Sequence, residues 1–290
     1  ILDLGSDHNK KLGLAINYLN YLGTSKYSPE ALKKEFYKLG VSYNVNSGTD
    51  RSFVYLTGLQ KNLPEGIKLF EHLLNDAVAN QQSYQEYVKT ILKSRENSKK
   101  NKNAIAVALN NYAQYGENNR FRDIISEKEL NAINPTELTQ LIKNVLNYKH
   151  QIFYYGNDEA ATKKALEQYH NFGKGLDYPA KKDFPQPVTD GKVYFAPYDM
   201  VQAEINFVAR DNKFDKNLLT SSGIFNEYFG GGLSSIVFQE IRESKSLAYS
   251  ARANYANAGK KDLYNYVRAN IGTQANKLPQ AVAAMSELMN

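Results

Sequence analysis

Residues Tyr228 to Ser250 read Tyr-Phe-Gly-Gly-Gly-Leu-Ser-Ser-Ile-Val-Phe-Gln-Glu-Ile-Arg-Glu-Ser-Lys-Ser-Leu-Ala-Tyr-Ser. One helical pattern ends at Phe229 and another runs from Ser235 to Glu243. Gly230, Gly231 and Gly232 lie between them without Cβ atoms, so the chain can bend sharply there and approach another backbone closely. Beyond the second helix, Ala248 to Tyr255 alternates as a half-buried strand. Ser250, Arg252 and Asn254 share one face, and Tyr249, Ala251, Ala253 and Tyr255 share the other. A helix end thus carries Arg242 and a strand start carries Tyr249, and both can be aimed at one point. No Gly-Lys-Ser/Thr follows the triplet and no parallel βαβ unit surrounds it, which excludes a phosphate loop.

Working outward, the same series of elements occurs earlier in the chain. Gly13 to Leu22 and Pro29 to Leu39 read as helices, Ser42 to Gly48 and Arg51 to Gly58 as strands, and Leu63-Pro64-Glu65 opens a further helix. In the second copy the strands are Ala248 to Tyr255 and Leu263 to Ile271, and Leu278-Pro279-Gln280 opens the helix. Proline suits a first helical turn, where its missing N–H has no partner to lose. The apolar offsets after each proline agree, with Ile67, Phe70 and Leu73 against Val282, Met285 and Leu288. The fold class expected is α+β: two homologous domains, each an antiparallel sheet with helices packed on one face.

The first copy continues through a long helix from about Ser83 to Asn111, a helix opened by Asn134-Pro135-Thr136 and a closing strand, Gln151 to Tyr155. The domains expected are 1–172 and 193–290, joined by the proline- and lysine-rich stretch 173–192 as an extended linker. Ile-Leu-Asp-Leu-Gly at the start reads as a strand already under way, so something is expected to precede it. The second copy lacks the counterparts of Asp76 to Asp158, so this domain is expected to be truncated, which would expose a sheet edge.

Composition narrows the function classes. The 290 residues are 42% hydrophobic and 23% charged, enough for two cores in a globular protein. No apolar run approaches membrane-spanning length, so no membrane span is expected. With no cysteine, disulfides, thiolate metal sites and a Cys nucleophile are excluded. The net charge of +6 is dispersed, and its one dense run, Lys93 to Lys102, is interleaved with Glu96 as on a solvated helix face, so no nucleic acid is expected. Lys68-Leu-Phe-Glu71-His72 looks like a zinc motif one ligand short, but Lys68 would repel a metal, and it reads as an exposed Glu-His pair beside a buried face. His8, His150 and His170 stand far from any carboxylate at ligand spacing.

The glycine triplet, the helix bearing Arg242 and the strand bearing Tyr249 together resemble the pitrilysin/insulinase family of zinc metallopeptidases, and the resemblance extends from Gly5-Ser6 through Tyr155-Gly-Asn-Asp158 to Asn290. That family pairs a zinc-bearing half with a related half that lacks the metal, and the Gly-rich segment with its downstream Arg and Tyr belongs to the second. In catalytic halves the first helix carries His-x-x-Glu-His shortly before Gly-Thr. Anchored on Gly23-Thr24, those positions here are Leu14, Asn17 and Tyr18. Leu has no lone pair, Asn cannot deprotonate a zinc-bound water, and Tyr would be an unusual ligand. The third family ligand would fall near Ser94 to Glu96.

The resemblance implies a non-catalytic half of a two-half zinc metalloendopeptidase, with no catalytic residue, metal ligand or cofactor of its own and zinc in the partner half. Its implied partners are that catalytic half, on the same chain or another subunit, and a peptide or unfolded protein as substrate. Arg242, Tyr249, Gly230, Gly231 and Gly232 would line the substrate chamber, where a guanidinium and a phenolic O–H can hydrogen-bond a developing oxyanion. The alternative for the pair is a salt bridge from Arg242 to Glu240 or Glu243, with Tyr249 packed in the sheet. The alternative for the protein is a structural or peptide-binding member without peptidase activity. A bacterial periplasm or cell envelope is the compartment expected.

Overall fold

The computed structural model describes residues 1, 3–189 and 191–289. The chain divides into two compact units, Ile1–Asn97 with Ile124–Asp183, and Ser98–Asp123 with Phe184–Asn290. Asn290, the end of the domain read as 193–290, lies outside the described residues, as do Leu2 and Asp190.

In the first unit, α1 (Lys10–Tyr18) begins where the Asn9 side chain accepts from the Lys11 N–H, and a 3-10 turn continues it over Leu19–Tyr21. A short strand β1 (Gly23–Thr24) leads to α2 (Pro29–Leu39), capped by Ser28 and closed by Gly40 in the left-handed conformation, φ 60°. β2 (Val41–Ser47) and β3 (Ser52–Gly58) form an antiparallel hairpin running from Val41↔Gly58 to Ser47↔Ser52. A 3-10 turn over Gln60–Asn62 then starts α3 (Leu63–Asp76), and β4 (Ala77–Val78) pairs with β1. α4 (Gln81–Ser98) follows.

After the 98–123 excursion, the unit resumes with three further helices. Numbered after α5 of the second unit (Lys102–Tyr115), they are α6 (Glu127–Ala132), α7 (Pro135–Val145) and α8 (Glu159–Tyr169). α1 packs on α7 and α3 on α8, around a core that includes Tyr18, Leu19, Leu32, Leu73, Leu138 and Ile142. α6 opens on a reciprocal cap: Ser126 Oγ accepts from Glu129 N, and the Glu129 carboxylate accepts from Ser126 N. Ser126→Ala is expected to lower stability by about 1 kcal/mol in urea denaturation, the usual effect of losing such a cap.

In the second unit, α5 has Asn101 as its N-cap, and its Lys102 ammonium bonds the Glu204 carboxylate on β5 (Gln202–Lys213) at 2.5 Å. α9 (Leu219–Asn226) runs into a π-helical turn, Glu227–Gly231, and a second π-helical stretch covers Phe238–Ser244. β6 (Ser250–Ala256) and β7 (Tyr264–Gln274) complete a sheet of order β5-β7-β6, antiparallel throughout. α10 (Leu278–Met289) follows a 3-10 turn over Ala275–Lys277. Val237, Ile241, Ala251, Ala253, Ile271 and Met285 form the core, so the face assigned to Ala251 and Ala253 is the inward one.

Both units therefore carry an antiparallel strand pair, a 3-10 turn and a Leu-Pro helix in the same order, and the protein is α+β. Ile67, Phe70 and Leu73 are buried, as is Met285, while Val282 and Leu288 are half-buried.

Several expectations are corrected. The helix read over Ser83 to Asn111 is two helices, because residues 99–101 leave the helical path and Asn101 caps a new one; α5 then packs in the second unit. Gln151 to Tyr155 joins no ladder, and Phe153 and Tyr155 are exposed instead of covering a sheet. At the N-terminus Ile1 exchanges backbone hydrogen bonds with Ser52, but Asp3 already turns. Within 173–192, Leu176 bridges to Tyr148 through the backbone, Phe184 is buried, and Gln186 bonds Arg210, Tyr264 and Tyr266, so the extended stretch is held at these points.

Candidate substrate-binding site

The glycine triplet sits where α9 runs onto the inner face of β6. A Cβ on Gly230 would lie 2.1 Å from the Ala253 carbonyl oxygen and 2.5 Å from its nitrogen, so only glycine lets these backbones meet. Gly231 approaches the Asn226 carbonyl, whereas Gly232 faces open space. Asn226 fixes the crossing: its Oδ1 accepts from Tyr255 N at 2.6 Å, and its Nδ2 donates to Tyr255 O at 3.0 Å. The widened π-turn here follows from this docking, since the helix end must reach β6 while Phe229 stacks on Phe225 at 5.0 Å.

Arg242 projects from the second π-helical stretch. The chain then reverses through Ser246, the one non-glycine among the described residues with positive φ (50°), held by the Lys277 ammonium on its carbonyl at 2.9 Å. Leu247 N returns to Ile241 O at 3.0 Å, and Tyr249 N donates to Gly272 O at 2.8 Å, which sets the start of β6 beside the helix end. The Arg242 guanidinium consequently lies 5.9 Å from the centre of the Tyr249 ring and 4.8 Å from that of Phe238.

The structure thus brings Arg242 and Tyr249 together and adds Phe238, which sequence reading did not single out. A basic residue four places after an aromatic on one helix was the available signal. Tyr249 is 74% exposed, so it is not packed in the sheet. Arg242 Nε lies 3.6 Å from the Glu243 carboxylate, with both side chains about half exposed to water; such a pair contributes little and leaves the guanidinium able to move.

The positions that would hold zinc on α1 are committed otherwise. Leu14 is buried, Asn17 Nδ2 donates to Gly13 O at 2.8 Å, and the Tyr18 hydroxyl donates to Asn80 O at 2.7 Å. Burial raises the Tyr18 hydroxyl above the ordinary tyrosine range, which disfavours the phenolate a metal would need. These residues do not fit a zinc ion. Ser94 and Glu96 lie on α4, and among the described residues no group of three or more His, Asp or Glu side chains is placed to hold a metal.

The Glu-His pair on α3 is a correction. Glu71 is 7% exposed, and its Oε1 lies 2.6 Å from His170 Nδ1 on the far side of the sequence. His72 hydrogen-bonds Thr24 Oγ1 at 3.0 Å.

Each unit sets an antiparallel strand pair beside helices, and the second adds a glycine-tight crossing next to an Arg/Tyr pair. A sequence profile described as the peptidase M16 inactive domain matches residues 132–290, and one described as insulinase (peptidase family M16) matches residues 3–128. The chain belongs to the M16 peptidase family. No curated protein matches it.

Among solved structures, the peptidase M16 inactive domain from Pseudomonas fluorescens is 16% identical with a TM-score of 0.72, over 99% of this chain and 72% of that one. The periplasmic protease PqqL from Escherichia coli is 10% identical with a TM-score of 0.72, over 99% of this chain and 32% of that one. The ferredoxin protease FusC, in complex with Arabidopsis ferredoxin, is 15% identical with a TM-score of 0.74, over 99% and 32%. At these identities the likeness is one of fold. No helix among the described residues is long and apolar enough to cross a membrane.

Proposed function

We propose that this chain is the non-catalytic half of a two-half zinc metalloendopeptidase, in which zinc is held by the partner half. The observation that carries the reading is the exposed Arg242/Tyr249 pair in a chain whose α1 has Leu14, Asn17 and Tyr18 at the metal positions. The pair is placed to donate hydrogen bonds to a substrate carbonyl held against it by the opposite half. β6 is an outer strand of its sheet, which supports extended peptide binding by strand addition beside Tyr249. The partner half sits on the same chain or on a second subunit, and the substrate is a peptide or unfolded protein. The periplasmic description of PqqL supports a bacterial envelope compartment.

Metal analysis after dialysis is expected to find well under one zinc per chain, and peptide cleavage is expected only when the complementary half is added. Stoichiometric zinc lost on Asn17 or Tyr18 substitution would overturn the assignment. Unaltered substrate binding by the other half in the absence of this chain would favour a structural member instead.

A further inference from the structure

We propose that Arg252 and Arg268, on the outward face of the second unit's sheet, hold an acidic stretch of the peptide substrate, a role that rests on the peptide-binding reading above and adds the charge of that peptide. The strand register assembles the face. Ile205, Phe207, Ala251, Ala253, Ala269 and Ile271 pack in the core, so the alternate positions of β5, β6 and β7 point the other way. There Arg252 lies opposite Asn270, Arg268 lies opposite Asn254 on one side and Val208 on the other, and Arg210 lies opposite Tyr266. Each arginine is thus two residues further along the sheet than the one on the neighbouring strand. The result is a diagonal stripe across all three strands, with about 7–8 Å from one arginine to the next.

This positive charge is not balanced within the face. Glu204 is the one carboxylate at the outward positions of the three strands, and the Lys102 ammonium of α5 already bonds it. α5 itself carries no acidic residue. Arg210 is engaged, donating to the Gln186 carbonyl and lying over the Tyr264 ring at 4.1 Å. The other two are open. The Arg268 guanidinium has only the Tyr266 ring, at 5.7 Å, and the Arg252 side chain has no ion-pair, hydrogen-bond or ring partner among the described residues. Both side chains are exposed.

Like charges set diagonally on neighbouring strands repel, and the core gains nothing from them because it lies on the opposite face. A carboxylate between the two guanidinium forks removes that repulsion and accepts from both. Asn254 adds an amide, since it stands opposite Arg268 and two places along β6 from Arg252. Position favours a peptide as the bearer of that carboxylate. Tyr249 precedes Arg252 by three residues of extended chain, about 10 Å, so one extended peptide can touch both. Its acidic residues would then fall about three positions from the bond presented to Tyr249.

The test is fluorescence-anisotropy binding of two labelled, extended octapeptides to this chain, identical except for glutamates at two alternate positions in one and glutamines in the other. The glutamate peptide should bind about fivefold tighter or more at low salt, and added salt should erase the difference, because the pairs are exposed. Arg252→Glu combined with Arg268→Glu should turn the preference toward a lysine-bearing octapeptide, and Arg252→Gln combined with Arg268→Gln should abolish it. Exposed positions away from the core tolerate both changes, as melting temperatures should show; if the charge-reversed variant fails to fold, the glutamine variant decides. No binding of the glutamate peptide, equal affinity for the two peptides, or a glutamate preference that survives the glutamine variant would overturn the proposal. So would tighter binding of a single-stranded oligonucleotide than of the glutamate peptide. The assay uses neither zinc nor the complementary half, so its failure is distinct from a failure of the two halves to cleave peptide.

Discussion

Gly230→Ala is expected to unfold the second unit or to cost it about 3 kcal/mol or more, at the upper end of the range for overpacking. The new methyl carbon would sit 2.1 Å from the Ala253 carbonyl oxygen, and that atom belongs to a backbone that cannot easily retreat. Ala253 pairs with Ala269 in the β6–β7 ladder, its own side chain is in the core, and Asn226 ties Tyr255, two residues further along the strand, to the end of α9. A side chain in the way could change rotamer; a strand must move as a strand. Against a typical total of about 5–15 kcal/mol, the loss is large. Gly232→Ala is the control, because nothing lies within 4 Å of its added carbon and its φ is −131°. Thermal melting of the two variants decides the matter: equal melting temperatures would mean that α9 and β6 do not cross so closely.

Gly230 also marks how far the sequence could be read. A glycine triplet between two helical patterns announces a close crossing, and the alternation of Ala251 and Ala253 names the face crossed, because each signal is local. The Leu-Pro starts of α3 and α10 were legible for the same reason: proline fixes a first turn regardless of what packs on it. Three features were not legible. Lys102 to Tyr115 continues the helical composition of α4, and only its Asn101 cap and its packing in the other unit show that a second helix begins. The π-helical registers around Arg242 arise from docking on the sheet, and no residue pattern encodes them. The Glu71–His170 contact joins residues 99 positions apart, so a search for ligands at helical spacing passes over it. In the candidate site, Arg242 and Tyr249 could be found because they flank one turn, whereas Phe238 was hidden among the apolar positions of its helix.

Arg242→Ala, tested in the complete two-half enzyme, is expected to lower peptide turnover by about 10²-fold, the scale for losing one oxyanion donor. The guanidinium lies beside the Tyr249 ring on an exposed surface, so it can present its N–H groups to a carbonyl oxygen that the opposite half brings up. Charge on that oxygen grows toward the tetrahedral state, and a charged donor gains more from that growth than a neutral one. Tyr249→Phe should therefore cost only about 3- to 10-fold, since it removes one neutral hydrogen bond and keeps the ring that flanks Arg242. The loss in Arg242→Ala should appear in kcat as well as in kcat/KM, because an interaction made in the transition state lowers both. Melting temperature provides the control. Arg242 contacts Glu243 only at 3.6 Å across solvent, and Tyr249 is 74% exposed, so neither substitution should disturb the fold. Steady-state cleavage of a quenched peptide by the reconstituted enzyme reads the effect. Unchanged turnover in both variants would leave this chain as a structural wall, and lost turnover with a large fall in melting temperature would assign the pair to packing rather than to the substrate.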